Sequence, residues 1–295
     1  MKAIIFGANG QDSYFLKSLL GKNGVQVISV ARKSCQIIGD VSDYNFVHSL
    51  IENYLPDFIF HFAATSSTSH NFLFENNNSI SNGTINILES VRLVSPRSKV
   101  FLSGSAMQFK NSGLPIDENT IFDASSHYAV ARIHSVYTGR YYREVFGLKV
   151  YVGYLFNHDS EFRSDRHVNR KIIDDLKKIK DGALDKLILG NPDVRKEFNF
   201  AGDIVEAVWI LINQEEIYEA VIGSGVSYSL RDWVKINCEL LEIDFETLVI
   251  EINRKFKCEY DILVSNPVKI KSIGWEPNNS IYDLAQRIIN YKEDV

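Results

Sequence analysis

Tyr128 and Arg132 stand at i and i+4 in His127-Tyr128-Ala129-Val130-Ala131-Arg132. On a helix that spacing puts a phenol and a guanidinium one turn apart on one face. Ser105 closes the apolar run KVFLSGS at 99–105. A phenol beside a fixed positive charge can give and take a proton at a carbonyl or hydroxyl oxygen. A nearby serine hydroxyl can hold that oxygen. Arginine supplies a charge that is never lost, in a planar fork larger than an ammonium. Taken alone, Tyr128 would read as a packed helix tyrosine. The strand-end serine and the glycine turn described next argue against that plainer reading.

Gly7-Ala8-Asn9-Gly10-Gln11-Asp12-Ser13 follows the apolar run KAIIF and precedes the helical pattern SYFLKSLL. Gly7 permits a tight turn, and Gly10 lets backbone approach a pyrophosphate. The helix start then offers unpaired N–H groups and a positive dipole end. Ser13 stands where a third glycine is expected, and a small side chain still allows close helix–strand packing. The competing reading is an ordinary β-to-α turn, which the strand-first, helix-after context disfavours. The second apolar run ends in Ala31-Arg32-Lys33-Ser34. An acidic residue there would accept from a ribose 2′-hydroxyl. Two cations and a serine suit a 2′-phosphate, so NADP is expected, with NAD as the alternative. Asp40, in Gly39-Asp40-Val41 after a third strand, is placed to accept from an adenine amino group.

Positioning these groups requires strands alternating with helices. Apolar runs at 2–6, 25–30, 57–64, 99–105 and 148–156 read as buried strands, and helical patterns at 43–54, 77–94 and 126–146 separate them. The implied fold is α/β, a doubly wound parallel sheet with both faces covered. After 156 the rhythm changes. Residues 157–170 are polar, with Asn157, His158, Arg163, Arg166 and Arg170. A helix is expected at 168–180, a strand at 186–190, a helix at 202–213, a strand at 218–225, and helices near 229–240 and 280–292. Residues 1–156 and 196–223 are thus expected to form a dinucleotide-binding domain. Residues 157–195 and 224–295 form a smaller interleaved lobe, with a ligand cleft between the two.

The 295 residues are 45% hydrophobic and 23% charged, enough for a sizeable core. Net charge is −5, against the basic excess of most nucleic-acid binders. No apolar run is long enough to span a membrane or serve as a signal peptide, so a cytoplasmic chain is expected. Cys35, Cys238 and Cys258 are odd in number and far apart, and read as buried or half-buried thiols. His158 and His167 lack metal-ligand spacing, so no metal is expected. His61, in Phe-His-Phe, reads as a packed core residue near the cofactor. Asp117 and Glu118 follow Pro115 and read as a solvated turn.

Ser105, Tyr128 and Arg132 together resemble the Ser/Thr and Tyr-x-x-x-Lys set of the extended short-chain dehydrogenase/reductase superfamily, with Arg132 in place of Lys. The likeness sharpens at Gly-Gln-Asp (10–12), Arg-Lys-Ser (32–34), Leu-Phe-Asn-His-Asp-Ser (155–160) and Val-Asn-Arg-Lys-Ile (168–172). It continues at Gly-Asn-Pro-Asp (190–193) and Gly-Asp-Ile-Val-Glu-Ala-Val-Trp (202–209). These resemble the GDP-mannose 4,6-dehydratases and the related GDP-6-deoxy-4-ketohexose reductases, over about residues 1–292. The resemblance implies cofactor contacts from Gly7, Asn9, Gly10, Gln11, Asp12, Arg32, Lys33, Asp40, Val41, Ala63, Ala64, Tyr128, Arg132 and Leu155. It implies that Ser105, Met107, Asn157, Val168, Arg170, Lys171, Asn191 and Lys196 face a GDP-linked sugar, with Lys196 toward a phosphate.

Two departures bear on the reaction. Aligning Phe109 with the family tyrosine puts Met107 on the dehydratase glutamate that moves a proton at C5, and a thioether cannot do so. Ile80 stands where the family has an asparagine. The expected activity is therefore redox at C4 of a nucleotide sugar, a 4-keto reductase or 4-dehydrogenase. A 4,6-dehydratase lyase, an epimerase and a catalytically impaired relative remain the alternatives. Ile80, Ile87, Leu88 and Val91, with Ile133, Tyr137 and Tyr141, look like more apolar positions than one sheet face needs. A homodimer or homotetramer through these two helices is expected.

Overall fold

The computed structural model describes residues 1–165, 167–253, 255 and 258–291. Arg166 and the last four residues lie outside them. Seven parallel strands make one sheet: β1 (Lys2–Phe6), β2 (Gln26–Ala31), β3 (Ile37–Ile38), β4 (Phe58–His61), β5 (Lys99–Ser105), β6 (Lys149–Leu155) and β7 (Glu219–Ile222). Their spatial order is β7-β6-β5-β4-β1-β2-β3. The chain reverses its winding between β1 and β4. In such sheets that reversal opens a crevice at the carboxyl ends of the strands.

Successive strand residues go to opposite faces, and both faces are apolar. Ile4, Phe6, Ile28, Val30 and Ile59 pack beneath α2 (Tyr44–Tyr54), α3 (Gly83–Val94) and α4 (His127–Phe146). Ala3, Ile5, Phe58 and Phe60 pack beneath α1 (Gln11–Lys22) and α6 (Ala201–Ile212). A separate core joins α5 (Val168–Lys180), α7 (Leu230–Leu240) and α8 (Ile281–Asn290). Leu176, Trp233 and Leu284 lie at its centre. Short strands connect this part to the sheet. His158–Asp159 pairs with Asn199–Phe200, and Arg195–Glu197 lies between Ser227–Ser229 and Ile262–Leu263.

Helix α4 starts where Ser126 Oγ accepts from the Ala129 amide at 3.1 Å, a side-chain cap worth about 1 kcal/mol. It ends at Gly147, whose φ of +67° suits glycine. Its outer half is anchored by a charge network. Glu219 on β7 accepts from Arg140 Nη2 at 2.6 Å, Arg143 Nη2 at 2.7 Å and Tyr154 Oη at 2.6 Å.

Four readings are corrected. The helix expected at 77–94 begins earlier: Leu73–Asn76 is α-helical, Asn77–Asn82 is a π turn, and α3 follows without a break. A π turn makes i→i+5 hydrogen bonds, which apolar periodicity cannot signal. Ile80, Ile87, Leu88 and Val91 are fully buried within the chain itself. They serve its own core and are not spare. Glu118 is not solvated: its Oε1 accepts from the Val221 amide at 2.7 Å. Cys258 is exposed, while Cys35 is half-buried and Cys238 buried.

The Glu219 network yields a prediction. Burial alone would raise the Glu219 pKa, but hydrogen bonds from Arg140, Tyr154 and Arg143 outweigh it and hold it at about 2, below the ordinary 4.5. A carboxylate depressed on folding adds stability above its unfolded pKa and loses it as pH falls toward about 2. Glu219→Gln should cost about 2–4 kcal/mol at neutral pH in urea unfolding. The variant should also lose less stability than the wild type between pH 4.5 and 2.

Candidate functional site

The crevice between β1 and β4 holds a cleft of about 550 Å³. Gly7, Asn9, Gly10, Gln11, Asp12, Arg32, Lys33, Asp40, Val41, Ala63 and Ala64 all line it. Gly7 is required there on two counts. Its φ is +87°, and a Cβ would lie 2.6 Å from the Ala63 amide nitrogen. Phe62, Ala63 and Ala64 have left β4 to form the cleft wall, which is why that strand is shorter than its apolar run. Ser13 does more than stay small: its Oγ donates to the Gly7 carbonyl at 2.9 Å. Gly10 precedes α1 with no side-chain cap, so the first amides of α1 remain available to an anion. Asn9 Nδ2 donates to the Lys33 carbonyl at 2.7 Å and ties the glycine turn to the loop after β2. Among the described residues neither Arg32 nor Lys33 has an ion-pair partner, so two exposed cations border the cleft. Asp40 Oδ1 accepts from the Ser42 amide and hydroxyl, both at 2.9 Å. A cradle without room for a Cβ, bare helix amides and two cations fits a dinucleotide carrying an added phosphate.

Beyond this wall lies a small dry cluster. Ile80, Tyr128 and Ala131 are buried together, with Ala64 and Met107 packed on them. Ala64 thus belongs both to the cleft and to the surroundings of Tyr128. Arg132 is buried, and its Nε donates to Tyr128 Oη at 3.3 Å. The phenolic proton remains free to be given elsewhere. Arg132 Nη1 donates to the Ser103 carbonyl and, at 2.8 Å, to Ser103 Oγ, which itself donates to the His61 carbonyl at 2.9 Å. The guanidinium expected to contact the cofactor is thus held at one end to β5. Ser105 ends that strand at its carboxyl edge. Its amide donates to Gln108 Oε1 at 2.8 Å, and its Oγ accepts from the Met107 amide at 3.2 Å. His61 is buried, and neither ring nitrogen makes a hydrogen bond of normal geometry. Burial, then the Arg132 charge, push its pKa down to about 3, so the ring is neutral.

The residues expected to face a sugar are spread more widely. Asn157 accepts at its carbonyl from Asn199 Nδ2 at 2.9 Å, and its Oδ1 lies 3.5 Å from Tyr260 Oη. Lys196 is buried, its Nζ 5.2 Å from the centre of the Phe198 ring. Burial holds Lys196 below the usual lysine range, against the pull of Asp159. Arg170 and Lys171 turn along α5 to Asp174 and Asp175, and both line a separate surface depression. Val168 is partly exposed at the start of α5, and Asn191 accepts from the Asp193 amide in an exposed turn. Leu155 is buried in the sheet and does not line the cleft. Sequence reading missed Arg163, which lines the cleft and bonds Asp159 Oδ1 at 2.5 Å. It also missed Glu75, on the helical stretch just before the π turn, and Asn78 and Ser79 within that turn, all of which line the cleft. The helical pattern over 77–94 hid that turn.

Comparison with known proteins gives a consistent picture. A family model described as GDP-mannose 4,6 dehydratase matches residues 4–288. GDP-mannose 4,6 dehydratase 1 of Arabidopsis thaliana is 27% identical over 320 residues, covering 98% of this chain and 88% of that protein. GDP-mannose 4,6-dehydratase of Vibrio cholerae is 24% identical over 344 residues, covering 98% and 92%. Among solved structures, RMD from Pseudomonas aeruginosa complexed with NADPH superposes with a TM-score of 0.84 at 18% identity, covering 98% and 96%. The UDP-glucose 4-epimerase of Thermus thermophilus, complexed with NAD, gives 0.82 at 16% identity, covering 98% and 99%. The structural likenesses support the doubly wound fold.

Proposed function

Because the chain belongs to the GDP-mannose 4,6-dehydratase family, we propose that it is an NADP-dependent enzyme acting on a GDP-linked sugar by 4,6-dehydratase-type chemistry. The observation that carries this reading is Tyr128, hydrogen-bonded by Arg132 in a dry cluster that shares Ala64 with the dinucleotide cleft. Bound NADP would take or return a hydride at C4. Tyr128 moves the proton of the C4 oxygen, Ser105 holds that oxygen, and Arg132 stabilises negative charge on the phenol as its proton leaves. Excluding water from the Tyr128 surroundings strengthens each of these interactions. The relatives' names favour the dehydratase over simple C4 redox, the activity expected from sequence. C4 redox remains a second reading on one observation: Met107 and Ile80 pack on Tyr128, and neither can carry a proton to or from C5.

In the same reading, residues 1–156 and 196–223 form the cofactor domain, and 157–195 with 224–295 the sugar-nucleotide lobe. Arg32 and Lys33 hold the 2′-phosphate. Asn157, Lys196, Val168, Arg170, Lys171 and Asn191 belong to the GDP-sugar side, with Arg170 and Lys171 exchanging their helix carboxylates for phosphate. Assembly is proposed through the outer face of α4. Val130, Tyr137, Tyr141 and Val145 are exposed there at 7-, 4- and 4-residue steps, beside Ile85 on α3.

Four measurements test this. Incubation with GDP-mannose should give a product lighter by one water with no net change in NADPH. A product of unchanged water content with stoichiometric cofactor turnover would establish C4 redox instead. Tyr128→Phe should lower turnover at least ~10²-fold while NADPH binding survives.

Arg32→Ala should weaken NADP binding by about 1.5–3 kcal/mol and leave NAD binding nearly unchanged. Equal affinity of the wild type for both cofactors would remove the 2′-phosphate assignment.

Light scattering at micromolar concentration should report a dimer or tetramer, and Tyr137→Glu with Tyr141→Glu should shift it toward monomer. A monomeric wild type would exclude the proposed assembly.

A further inference from the structure

Side chains of the first turn of α1 clasp the strand that follows Asn157. Ser160 Oγ donates to Gln11 Oε1 at 2.9 Å, and Gln11 Nε2 donates to the His158 carbonyl at 3.3 Å. His158 Nε2 lies 3.0 Å from Asp12 Oδ1. Its other ring nitrogen, Nδ1, lies 2.7 Å from the Phe156 carbonyl oxygen. A carbonyl only accepts, and so does an ionised carboxylate. An imidazole held between two acceptors needs a proton on each nitrogen, which makes it an imidazolium.

The other way to fill this geometry is a neutral His158 with its proton on Asp12. The surroundings oppose it. Asp12 is in the first turn of α1, where the helix dipole favours an anion. Among the described residues, the charged groups around the ring are Asp12 from α1 and, from its own segment, Asp159 and Arg163. Arg163 Nε is bound to Asp159 Oδ1 at 2.5 Å, and its Nη2 donates to the His158 carbonyl at 2.9 Å. Lys196, on the Arg195–Glu197 strand, adds its charge beside Asp159. Burial and Arg163 pull the His158 pKa down, but the Asp12 charge and hydrogen bond prevail and raise it above 6.5.

Asp12 also lines the dinucleotide cleft, two residues after Gly10. A bare carboxylate there would repel a pyrophosphate from the turn whose amides attract it. We propose that His158 is a resident imidazolium that neutralises Asp12 at the mouth of this cleft, a positioning residue that joins cofactor binding to the strand after Asn157. The proposal rests on reading the cleft as a dinucleotide site. The imidazolium neutralises Asp12 at pH values below the raised His158 pKa. As pH rises through that value the proton leaves, Asp12 stands bare, and affinity for the dinucleotide falls.

Two experiments on the full chain decide it. Long-range proton–nitrogen correlation spectra of histidine-labelled protein at pH 7.5 should place both His158 ring nitrogens at imidazolium positions, with His158→Gln supplying the assignment. A neutral-tautomer pattern overturns the proposal. NADPH dissociation constants should then be measured for the wild type, His158→Gln, Asp12→Asn and the double variant. His158→Gln should weaken binding roughly 5- to 20-fold. Adding Asp12→Asn should recover affinity to within about 3-fold of the wild type, because the uncompensated charge is gone. A double variant no better than His158→Gln would mean a purely structural clasp and overturns the proposal, leaving the dinucleotide reading intact. A wild type that binds no NADPH overturns both.

Discussion

Arg132 carries a permanent positive charge into the protein, and no carboxylate stands within ion-pair distance of it among the described residues. Burying a charge without a counter-charge costs several kcal/mol unless hydrogen bonds replace the lost water. Here they do. The Ser103 carbonyl and hydroxyl take one end of the guanidinium, and the Tyr128 oxygen takes its Nε. The arrangement fixes α4 against β5 at the level of the phenol. Burial first, and then the Arg132 charge, keep the adjacent His61 ring neutral. A lysine would have one compact ammonium to divide among the same acceptors. The planar fork serves two elements at once and is thereby less mobile.

The surroundings of Tyr128 are otherwise apolar: Ile80, Met107, Ala64 and Ala131 pack around it. In such a low-dielectric pocket the guanidinium acts on the phenol more strongly than it could in solvent. The titratable clusters, Asp12 with His158 and Asp159 with Arg163, lie on the side of the cleft formed by α1 and the strand after Asn157.

The legible parts of this molecule are those where local chemistry determines local shape. Strands buried on both faces read as continuous apolar runs, so β1, β2, β4, β5 and β6 could be placed within a few residues. Gly7 was legible because only glycine tolerates a positive φ against the Ala63 backbone. Tyr128 and Arg132 were legible because a helix converts spacing into proximity. Contacts between distant segments left no trace in spacing. Asp12 meets His158, Glu219 meets Arg140 and Arg143, and Glu118 meets the Val221 amide, each across a long stretch of chain. Arg170 and Lys171 are a different case: Asp174 and Asp175 lie four residues on along α5, a spacing that the sequence does carry. The reaction is legible only from the whole chain: Met107 alone argues against one proton-transfer step, whereas the likeness to dehydratases over the full length argues for all of them.

The π turn at Asn77–Asn82 fixes an angular offset between two stretches of one rod. Each residue of an α-helix advances the side chains by about 100°. A π turn accommodates one residue more than the α-helical count and leaves the flanking stretches out of phase by about that amount. Glu75 and Asn78 therefore point to the cleft rim while Ile87 and Val91 further along stay seated on the sheet. Deleting a single residue between 77 and 82 would restore regular winding and swing the rim by roughly a quarter turn relative to Ile87 and Val91, displacing Ile80 from Tyr128 as it did so.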